Sequence, residues 1–551
     1  MRSNPTRCAR GGAFARPLAM VALAAALAGG YASVAHAGGA WFFPGNLVVS
    51  RSVYDNNPNN VQVGETLPPN CASTRGGCST GATNDGSYPL VWNNDLVDGS
   101  FGITSKIFLD QVTGAGSLVN SLEVPNSSQK GIPPEKNQVV TSFSSKSELA
   151  LNLSIDGSLL TFMGYVSPID AIDVSNSNTP GIVDPTNPVG ENFFRAVAQV
   201  DGKGKFRFTA TNAYSGNNGR AVILNNIGKA NFCYTAGNAG NGGNPQPDGI
   251  IIGAGTQILT PENRALVAQN PGSPTPVGSF NITQLGFKAD KIGKDTNFRG
   301  LTIFDNVIYL SKGSGGNGIN TVYFIDTTGR ACPAGVGVPQ ASASLPESAI
   351  SYDPALLQTE GVVPYNMCVL KGFPAQPNSK VTTPAFPFGL WFANATTLYV
   401  ADEGDGTFAD AGTEATAGLQ KWIFDSTSSE WNLAYTLQAG LGLGVPYTVP
   451  DYPSGNNSAT GLPWAPETDG LRNITGVVND DGTATIYAIT STVSGNGDPG
   501  ADPNKLVTIT DTLAATSLPE SESFTTLRTA GFAEVLRGVS LTPGTVTHHP
   551  G

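Results

Sequence analysis

Residues 298–329, FRGLTIFDNVIYLSKGSGGNGINTVYFIDTTG, determine how the rest of the chain is interpreted. The segment contains three runs rich in β-branched and aromatic residues, RGLTIF, NVIYLSK and TVYFIDT, which are separated by Asp-Asn and by a loop of Gly, Ser and Asn. Short apolar runs between such turn residues predict consecutive antiparallel β-strands. A similar unit, FGLWFANATTLYVADEG, lies at 388–404. The unit is therefore a repeat.

The repeat divides the chain into units whose first strands start near six positions: 148, 220, 299, 388, 472 and 537. The other expected strands lie at 159–167, 193–202 and 205–213; at 231–240, 255–261 and 279–286; at 306–312, 321–327 and 366–373; at 396–404, 418–425 and 430–438; and at 484–491, 505–512 and 523–529. Tight turns at IDGS and DGKG support the hairpins of the unit that starts at 148.

The two ends of the chain complement each other. Three strands predicted at 46–55, 106–114 and 117–125 lack a first strand, whereas LRGVSLTPG at 536–544 is a first strand without a second. We therefore predict an all-β fold, a six-bladed β-propeller of four-stranded antiparallel blades, in which the C-terminal strand joins the N-terminal blade and closes the ring. Residues 56–105 or 330–365 leave room for a seventh blade. A two-sheet sandwich would explain the alternation but not the ordered recurrence.

Residues 1–37 have the pattern of a signal peptide. Four arginines precede an apolar run that ends at Ala35-His36-Ala37. We expect residues 38–547 to form a single propeller domain, residues 548–551 to be a mobile tail, and the protein to be secreted or periplasmic. No later segment has the roughly 20 apolar residues of a membrane span, so we expect no span.

Composition disfavours several classes of function. Loss of the leader would change the formal charge from −12 to −16, and such an acidic surface repels nucleic acid. The only histidines are His36, His548 and His549. A Ser-His-Asp triad, a histidine-ligated metal site and a haem are therefore not expected, and no motif indicates a nucleotide cofactor.

The cysteines predict disulfides if the protein is exported. Cys71 and Cys78 bracket a short loop, and Cys332 and Cys368 flank a long excursion rich in Pro, Ala and Ser, so each pair is a candidate disulfide. Cys233, in the apolar run NFCYTAG, is the expected unpaired cysteine. We interpret it as a buried, inert thiol rather than a nucleophile.

Several motifs resemble the blades of secreted NHL-type and gluconolactonase-type propellers. They are the second strands YLSKGSG, YVADEGDG and YTAGNAGNG, each after a first strand of the form RGL, FGL or RAV. The resemblance implies a propeller. Lactonases of this architecture bind a divalent cation on the axis through Glu, Asn and Asp, but their ligand motifs do not align with this sequence, so no ligand is transferred.

Basic residues recur at the starts of the first strands: Arg220, Arg299, Arg472 and Arg537. Phe388 takes this place in a fifth unit, and Ser147 or Glu148 in the sixth. Four arginines that converge on the axis would grip a carboxylate, sulfate or phosphate through bidentate hydrogen bonds. Alternatively, each arginine bonds carbonyls or an acid of the next blade and holds the ring together.

Loops after the second strands carry acidic residues that suit a hard cation. Asp402, Glu403 and Asp405 in DEGDG form a candidate calcium loop, although we favour the interpretation that they form a solvated acidic loop. Lys312 and Asp402 hold equivalent places in successive units, so a cross-blade ion pair is one interpretation, and Lys312 also joins the candidate ligand-binding residues. Further acidic loops contain Asp170, Asp173, Asp498 and Asp502.

These features support two hypotheses. The first is an exported binding scaffold with an arginine-lined axial mouth and calcium-binding loops, acting as a monomer on a small molecule, a glycan or a surface protein. The second is a metal-dependent lactonase-like or esterase-like hydrolase, in which a carboxylate-bound cation on the axis polarises a carbonyl and activates water.

Overall fold

The computed structural model describes residues 41–57, 59–60, 66–67, 82–83, 102–132, 138–143, 145–180, 191–238, 255–262, 266–268, 276–288, 297–314, 318–350, 365–457, 460–495, 497 and 500–545. The expected signal peptide, the C-terminal tail and the Cys71–Cys78 pair lie outside these residues. None of the described helices is long and apolar enough to cross a bilayer.

Six antiparallel sheets form the blades of a propeller, which confirms the predicted fold. Blade I contains both ends of the described chain: β1 (Leu47–Val53), β4 (Thr104–Val112), β5 (Leu118–Glu123) and β28 (Glu534–Leu541), in the order β28-β1-β4-β5. The two-residue strand β6 (Thr141–Ser142) also pairs with β4. A separate short hairpin consists of β2 (Thr66–Leu67) and β3 (Ala82–Thr83).

The predicted closure of the ring is confirmed. Strand β28 pairs antiparallel with β1, and the register places Leu541 opposite Leu47 and Glu534 opposite Val53. The C-terminal strand is thus the innermost strand of blade I, and seven of its eight residues are buried. This arrangement removes an exposed sheet edge.

Blades II and III follow along the chain. Blade II contains β7 (Asn152–Leu153), β8 (Leu159–Tyr165), β9 (Arg195–Asp201) and β10 (Phe206–Thr211), with β14 (Leu266–Ala268) added in parallel to β10. Blade III contains β11 (Gly219–Asn225), β12 (Phe232–Gly237) and β13 (Thr256–Leu259).

The strand expected at 279–286 is wrong. Ile282–Leu285 is a 3₁₀ helix that begins with a capping box, in which the Asn281 side chain accepts from the N–H of Thr283 and the Gln284 side chain accepts from the N–H of Asn281. These side chains take main-chain donors that a strand would present to its neighbour. The described part of blade III therefore has three strands.

Blades IV, V and VI match the predicted units closely. Blade IV contains β15 (Leu301–Phe304), β16 (Val307–Lys312), β17 (Thr321–Ile325) and β19 (Met367–Leu370), with β18 (Val336–Gly337) parallel to β19. Blade V contains β20 (Pro387–Asn394), β21 (Thr397–Asp402), β22 (Gly418–Asp425) and β23 (Glu430–Leu437). Blade VI contains β24 (Glu467–Val478), β25 (Thr483–Val493), β26 (Lys505–Thr512) and β27 (Thr525–Thr529). Short 3₁₀ turns occur at Val174–Asn176, Pro333–Gly335 and Asn378–Lys380.

The innermost strands form a ring around the axis. Strand β28 contacts β7, β7 contacts β11, β11 contacts β15, β15 contacts β20, β20 contacts β24, and β24 contacts β28. The apolar core lies between neighbouring blades. Phe392 of blade V, for example, stacks on Phe304 of blade IV with ring centroids 4.6 Å apart. The ring brings the starts of all six inner strands to one end of the axis.

One predicted disulfide is present. Cys332 and Cys368 are bonded, so the excursion after β17 is fixed to the last strand of blade IV. Cys233 is a buried free cysteine, and burial raises the pKa of its thiol to about 12. This environment fits the inert role expected for it.

Candidate functional site

Glycines allow the inner strands to approach one another closely at the axis. A Cβ atom on Gly300 would overlap the carbonyl oxygen of Phe388 in the next blade, and one on Gly538 would overlap the carbonyl oxygen of Leu149. Any side chain at these positions would push two inner strands apart. This close approach explains why glycine follows Arg299, Arg537 and Phe388 in the repeat.

Serines on the second strands complete this contact. Ser50 accepts from the N–H of Gly538 at 2.7 Å and donates to the carbonyl of Leu149 at 2.8 Å. In blade IV, Ser311 accepts from the N–H of Gly300 at 2.8 Å and donates to the carbonyl of Phe388. Each hydroxyl thus bridges two blades. Our sequence reasoning missed these serines, although their recurrence opposite the glycine was a readable signal.

Two of the four arginines bind main-chain carbonyls of the segment that leads into the following blade. Arg537 is 2% exposed, and its guanidinium donates to the carbonyls of Ser145, at 2.5 Å, and Phe143. Arg220 donates to the carbonyl of Phe298 at 2.8 Å and to the side chain of Asn297. These contacts are the ones expected if the arginines hold the ring together.

The other two arginines make different contacts. Arg299 donates to the hydroxyl of Ser314, and Lys312 on the neighbouring strand donates to the Ser314 carbonyl at 3.0 Å. Arg472 is paired with Glu403, with 3.1 Å between Nε and Oε2. The same carboxylate oxygen is 3.6 Å from the ammonium group of Lys146. Glu403 is 1% exposed, so this is a buried cluster.

Charges from different blades act on one another at this end of the axis. Burial, together with repulsion from Arg299, holds the pKa of Arg220 well below its ordinary value, and Glu148 and Glu403 counteract the shift. Burial lowers the pKa of Arg537 to about 9; Glu148 opposes this shift and Arg472 adds to it. We call the following residues the axial charge cluster: Lys146, Glu148, Arg220, Arg299, Glu403, Arg472 and Arg537.

Glu148 lies at the start of the inner strand of blade II, where four other blades carry arginine. It is fully buried and accepts from the Thr141 hydroxyl at 2.8 Å, the N–H of Ser142 at 3.0 Å and the Tyr165 hydroxyl. Burial raises the pKa of this carboxyl, while the hydrogen bonds and Arg537 oppose the shift. Leu149 has a left-handed backbone with φ of 62°, an uncommon conformation for a bulky residue.

Arg195 is a buried residue that the repeat did not indicate. It is completely buried, and its guanidinium donates to the carbonyls of Phe193, Ser175, Ser177 and Asn217. Its charge centre lies 5.2 Å from the centre of the Tyr165 ring. Burial lowers the pKa of Arg195 to about 10. Its four carbonyl partners indicate that it shapes the loops around Glu148.

Some polar atoms of the axial charge cluster have no hydrogen-bond partner among the described residues. They are Nε of Arg220 and Oε1 of Glu403, and the neighbouring hydroxyl of Ser147 shares this property. An unsatisfied buried polar group costs roughly 1–3 kcal/mol. A water molecule or a polar ligand at this end of the axis would remove that cost.

The structure places the three residues of the predicted calcium loop in three surroundings. Asp402 is buried and accepts from the N–H of Phe386 at 2.8 Å and from the Gln420 amide at 3.1 Å. Among the described residues, Asp402 forms no ion pair with Lys312. Glu403 belongs to the axial charge cluster, and Asp405 is exposed.

Asp405 instead groups with two acids that the sequence reasoning did not connect to it. Carboxylate oxygens of Asp405, Glu414 and Asp469 all lie within 4.8 Å of one another. The N–H of Asp405 donates to Glu414 at 2.8 Å, and the N–H of Gly406 donates to Asp469 at 3.0 Å. We call these three residues the acidic triad. Three converging carboxylates could hold a metal ion.

The remaining acidic loop residues serve separate local contacts. Burial and the charge of Asp55 raise the pKa of Asp170 to about 6. Asp173 is buried beside Asn176, and Asp502 accepts from the hydroxyl of Tyr452. Asp498 lies outside the described residues.

Comparison with known proteins adds little to this geometry. No family model matches the chain, and no curated protein sequence matches it. The solved structures that align with it include a point mutant of NanB sialidase from Streptococcus pneumoniae, at 8% identity over 70% of this chain and 60% of that chain, with a TM-score of 0.30. An ulvan lyase of polysaccharide lyase family PL25 aligns at 10% identity over 80% of this chain and 90% of that chain, with a TM-score of 0.22. The resemblance to NHL-type and gluconolactonase-type proteins therefore has no family match behind it.

Proposed function

We propose that the protein is an exported binding scaffold that captures an anionic group at the axial charge cluster. One observation carries the proposal: five cations of this cluster, four arginines and Lys146, face two carboxylates, Glu148 and Glu403. Burial, together with repulsion from neighbouring arginines of the cluster, already lowers the pKa of Arg220 and Arg537. A carboxylate, sulfate or phosphate would reduce this repulsion and accept hydrogen bonds from guanidinium groups.

The contacts divide the arginines by role. Arg220 and Arg537 bind carbonyls of the segments that lead into the next blade, so they hold the ring together. Arg472 neutralises the buried Glu403, and its removal would leave this buried charge with a longer ion pair to Lys146, at 3.6 Å. We assign ligand capture to Arg299, which donates to the Ser314 hydroxyl and has Lys312 on the neighbouring strand. The partner would be a small molecule, a glycan or a surface protein that carries the anionic group, and we expect the protein to be a monomer.

Titration calorimetry with glucuronate, sulfate and phosphate tests the proposal. We expect Arg299→Ala to weaken capture of the bound anion roughly 10- to 100-fold, as for loss of a hydrogen bond to a charged group. Arg299→Lys should recover part of the affinity. Arg330→Ala is the matched control, since Arg330 is an exposed arginine of the same blade. Unchanged affinity in Arg299→Ala, or a large drop in its melting temperature, would show that Arg299 only supports the fold.

The acidic triad favours a second candidate function, metal-dependent hydrolysis of lactones or esters. Asp405, Glu414 and Asp469 offer oxygen ligands that suit calcium, which takes 6–8 of them. The cation would polarise a carbonyl and activate water without any histidine.

Metal analysis of the purified protein, with and without chelator, decides whether this candidate survives. Calcium should bind in calorimetric titration and raise the melting temperature, because a ligand that binds only the folded state stabilises it. Glu414→Gln should weaken binding, whereas the exposed Glu520→Gln should not. A protein that binds no metal, and that is inactive on a panel of lactones and esters, would leave only the binding scaffold.

A further inference from the structure

The inner strands also enclose a cavity of about 410 Å³, which we call the axial cavity. It lies toward the ends of these strands, beside the Asp305-Asn306 turn and Ala395, whereas the axial charge cluster lies near their starts. Its volume is within the range of small-molecule sites. All six blades contribute to its lining.

Most inner strands contribute more than one residue to the lining of the axial cavity, and we compare one lining residue of each strand. In four blades this residue pairs across the strands with the recurrent tyrosine: Ile223 with Tyr234, Thr302 with Tyr309, Trp391 with Tyr399, and Thr475 with Tyr487. In the other two blades the lining residues compared are Asn152, opposite Thr161, and Ser540, opposite Val48. These six lining residues thus combine one indole and one aliphatic side chain with three hydroxyls and an amide.

The indole of Trp391 is held in a fixed position. A Cβ atom on Gly476 would lie 2.8 Å from three atoms of the ring, so the ring packs against the glycine backbone. Tyr399 stacks on Trp391 with centroids 5.7 Å apart and an interplanar angle of 26°. Trp391 remains half-buried, unlike the buried Trp422 and Trp431 of the same blade. It therefore offers a rigid apolar surface to the cavity.

The polar side chains among these six lining residues have hydrogen-bond donors and acceptors that could bind a ligand. Among the described residues, the hydroxyls of Thr302, Thr475 and Ser540 have no hydrogen-bond partner. The amide nitrogen of Asn152 donates to the carbonyl of Val222 at 3.2 Å. Hydroxyls and amides both donate and accept hydrogen bonds. They suit a ligand that does the same.

The charge of the lining restricts the ligand further. Asp305, on the exposed turn between β15 and β16, is the single charged residue among the described lining residues. An anion would meet a carboxylate and no cation, and a cation would meet only this one acid at the rim. Burying an unpaired charge is costly. The ligand should therefore be neutral, with an apolar ring face and a polar edge.

We propose that the axial cavity binds a neutral saccharide unit. A face of the sugar ring packs on Trp391, and the sugar hydroxyls bond the side chains of Asn152, Thr302, Thr475 and Ser540. This site is separate from the axial charge cluster and does not depend on the function proposed for it. It would recognise an uncharged sugar even if no anion bound at the other end of the axis.

Ligand-observed saturation-transfer NMR and tryptophan fluorescence test this proposal. The probes are the methyl glycosides of glucose, galactose, mannose and N-acetylglucosamine at millimolar concentration. We expect at least one to bind and to perturb tryptophan emission. Thr302→Val, Thr475→Val and Ser540→Ala remove single hydroxyls and nearly keep side-chain shape, and each should weaken binding about three- to tenfold, as for loss of a neutral hydrogen bond.

Control variants separate the cavity from the rest of the molecule. Thr526→Val, on the exposed strand β27, and Arg299→Ala should leave sugar affinity unchanged. Trp391→Phe should weaken it and remove the emission change, with melting temperatures checking that each variant folds. The proposal is overturned if no glycoside binds, if the three hydroxyl variants bind as well as the wild type, or if cyclohexanol or indole binds in preference to every sugar.

Discussion

Glu148 illustrates how a single position departs from the repeat. Where four blades start their inner strand with arginine, blade II presents a carboxylate, and the following Leu149 has a φ of 62°. A left-handed conformation costs a non-glycine residue roughly 1–2 kcal/mol. Retaining it brings Glu148 to Thr141 and Ser142 and places a negative charge near Arg537 and Arg220. The exception to the repeat thus partly neutralises the arginines.

The arginine positions could be predicted from the sequence, but their partners could not. The repeat alone places Arg220, Arg299, Arg472 and Arg537 near one end of the axis. Their contacts depend on loops of unequal length that bring Ser145, Phe298 or Glu403 within reach. The acidic triad shows the same limit, because Asp405 and Asp469 are far apart in sequence and belong to adjacent blades.

Stability should depend on pH through Glu414. Burial, together with Asp405 and Asp469, raises the pKa of Glu414 from 4.5 to about 9. Between these values the folded state binds more protons than the unfolded state, so the free energy of unfolding falls as the pH rises. We expect the melting temperature to decline from pH 5 to pH 9.

Two variants check the origin of this pH dependence. Glu414→Gln stays neutral and should flatten the decline, whereas Glu520→Gln, at an exposed site, should preserve it. Calcium should restore stability at high pH, since it binds the ionised carboxylates. If Glu414→Gln and the wild type lose stability in parallel, the acids of the triad are not close enough to interact.

At the scale of strands, the contact between inner strands is made by glycine and serine rather than by large side chains. Gly300 and Gly538 let two main chains touch, and Ser311 and Ser50 bond both sides of the contact. A hydrophobic pattern cannot reveal this arrangement, because it reports burial and not the distance between main chains. Strand order and blade limits were predictable because the hydrophobic pattern does report which residues are buried.

Gly300→Ala measures how much that contact matters. The added Cβ would meet the Phe388 carbonyl, a main-chain atom that cannot rotate away. We expect the free energy of unfolding to fall by about 3 kcal/mol, the upper part of the usual range for overpacking. Gly202→Ala is the control, since its Cβ would find its nearest neighbour at 3.9 Å. Equal stability of the two variants in urea unfolding would show that the inner strands are farther apart than described.

Blade III shows where strand prediction fails. The run at 279–286 alternates like a strand, yet Asn281 and Gln284 have the spacing of a capping box and form one. The sequence carried both signals. The chain bridges to β13 at Pro276 and Gln257, and the local hydrogen bonds of the capping box then turn it into the helix.

On the scale of the whole molecule, ring closure determines where every site lies. Pairing of β28 with β1 completes blade I, places Arg537 beside the start of blade II, and brings Ser540 to the axial cavity. Without this pairing the six inner strands would not enclose the axis. The sequence predicted the closure because the first and last units were each incomplete. It could not predict the cavity lining, since no motif distinguishes Trp391 from the threonines at equivalent positions.

Cysteine cross-linking tests the closure most directly. Val53 lies opposite Glu534 in the register of β1 and β28, and paired antiparallel residues are close enough for a disulfide. We expect Val53→Cys with Glu534→Cys to form a cross-link under mild oxidation, detected by peptide mass spectrometry, with no loss of melting temperature. Val53→Cys with Glu520→Cys should form none. Absence of the first cross-link, or an equal yield of the second, would contradict the closed propeller.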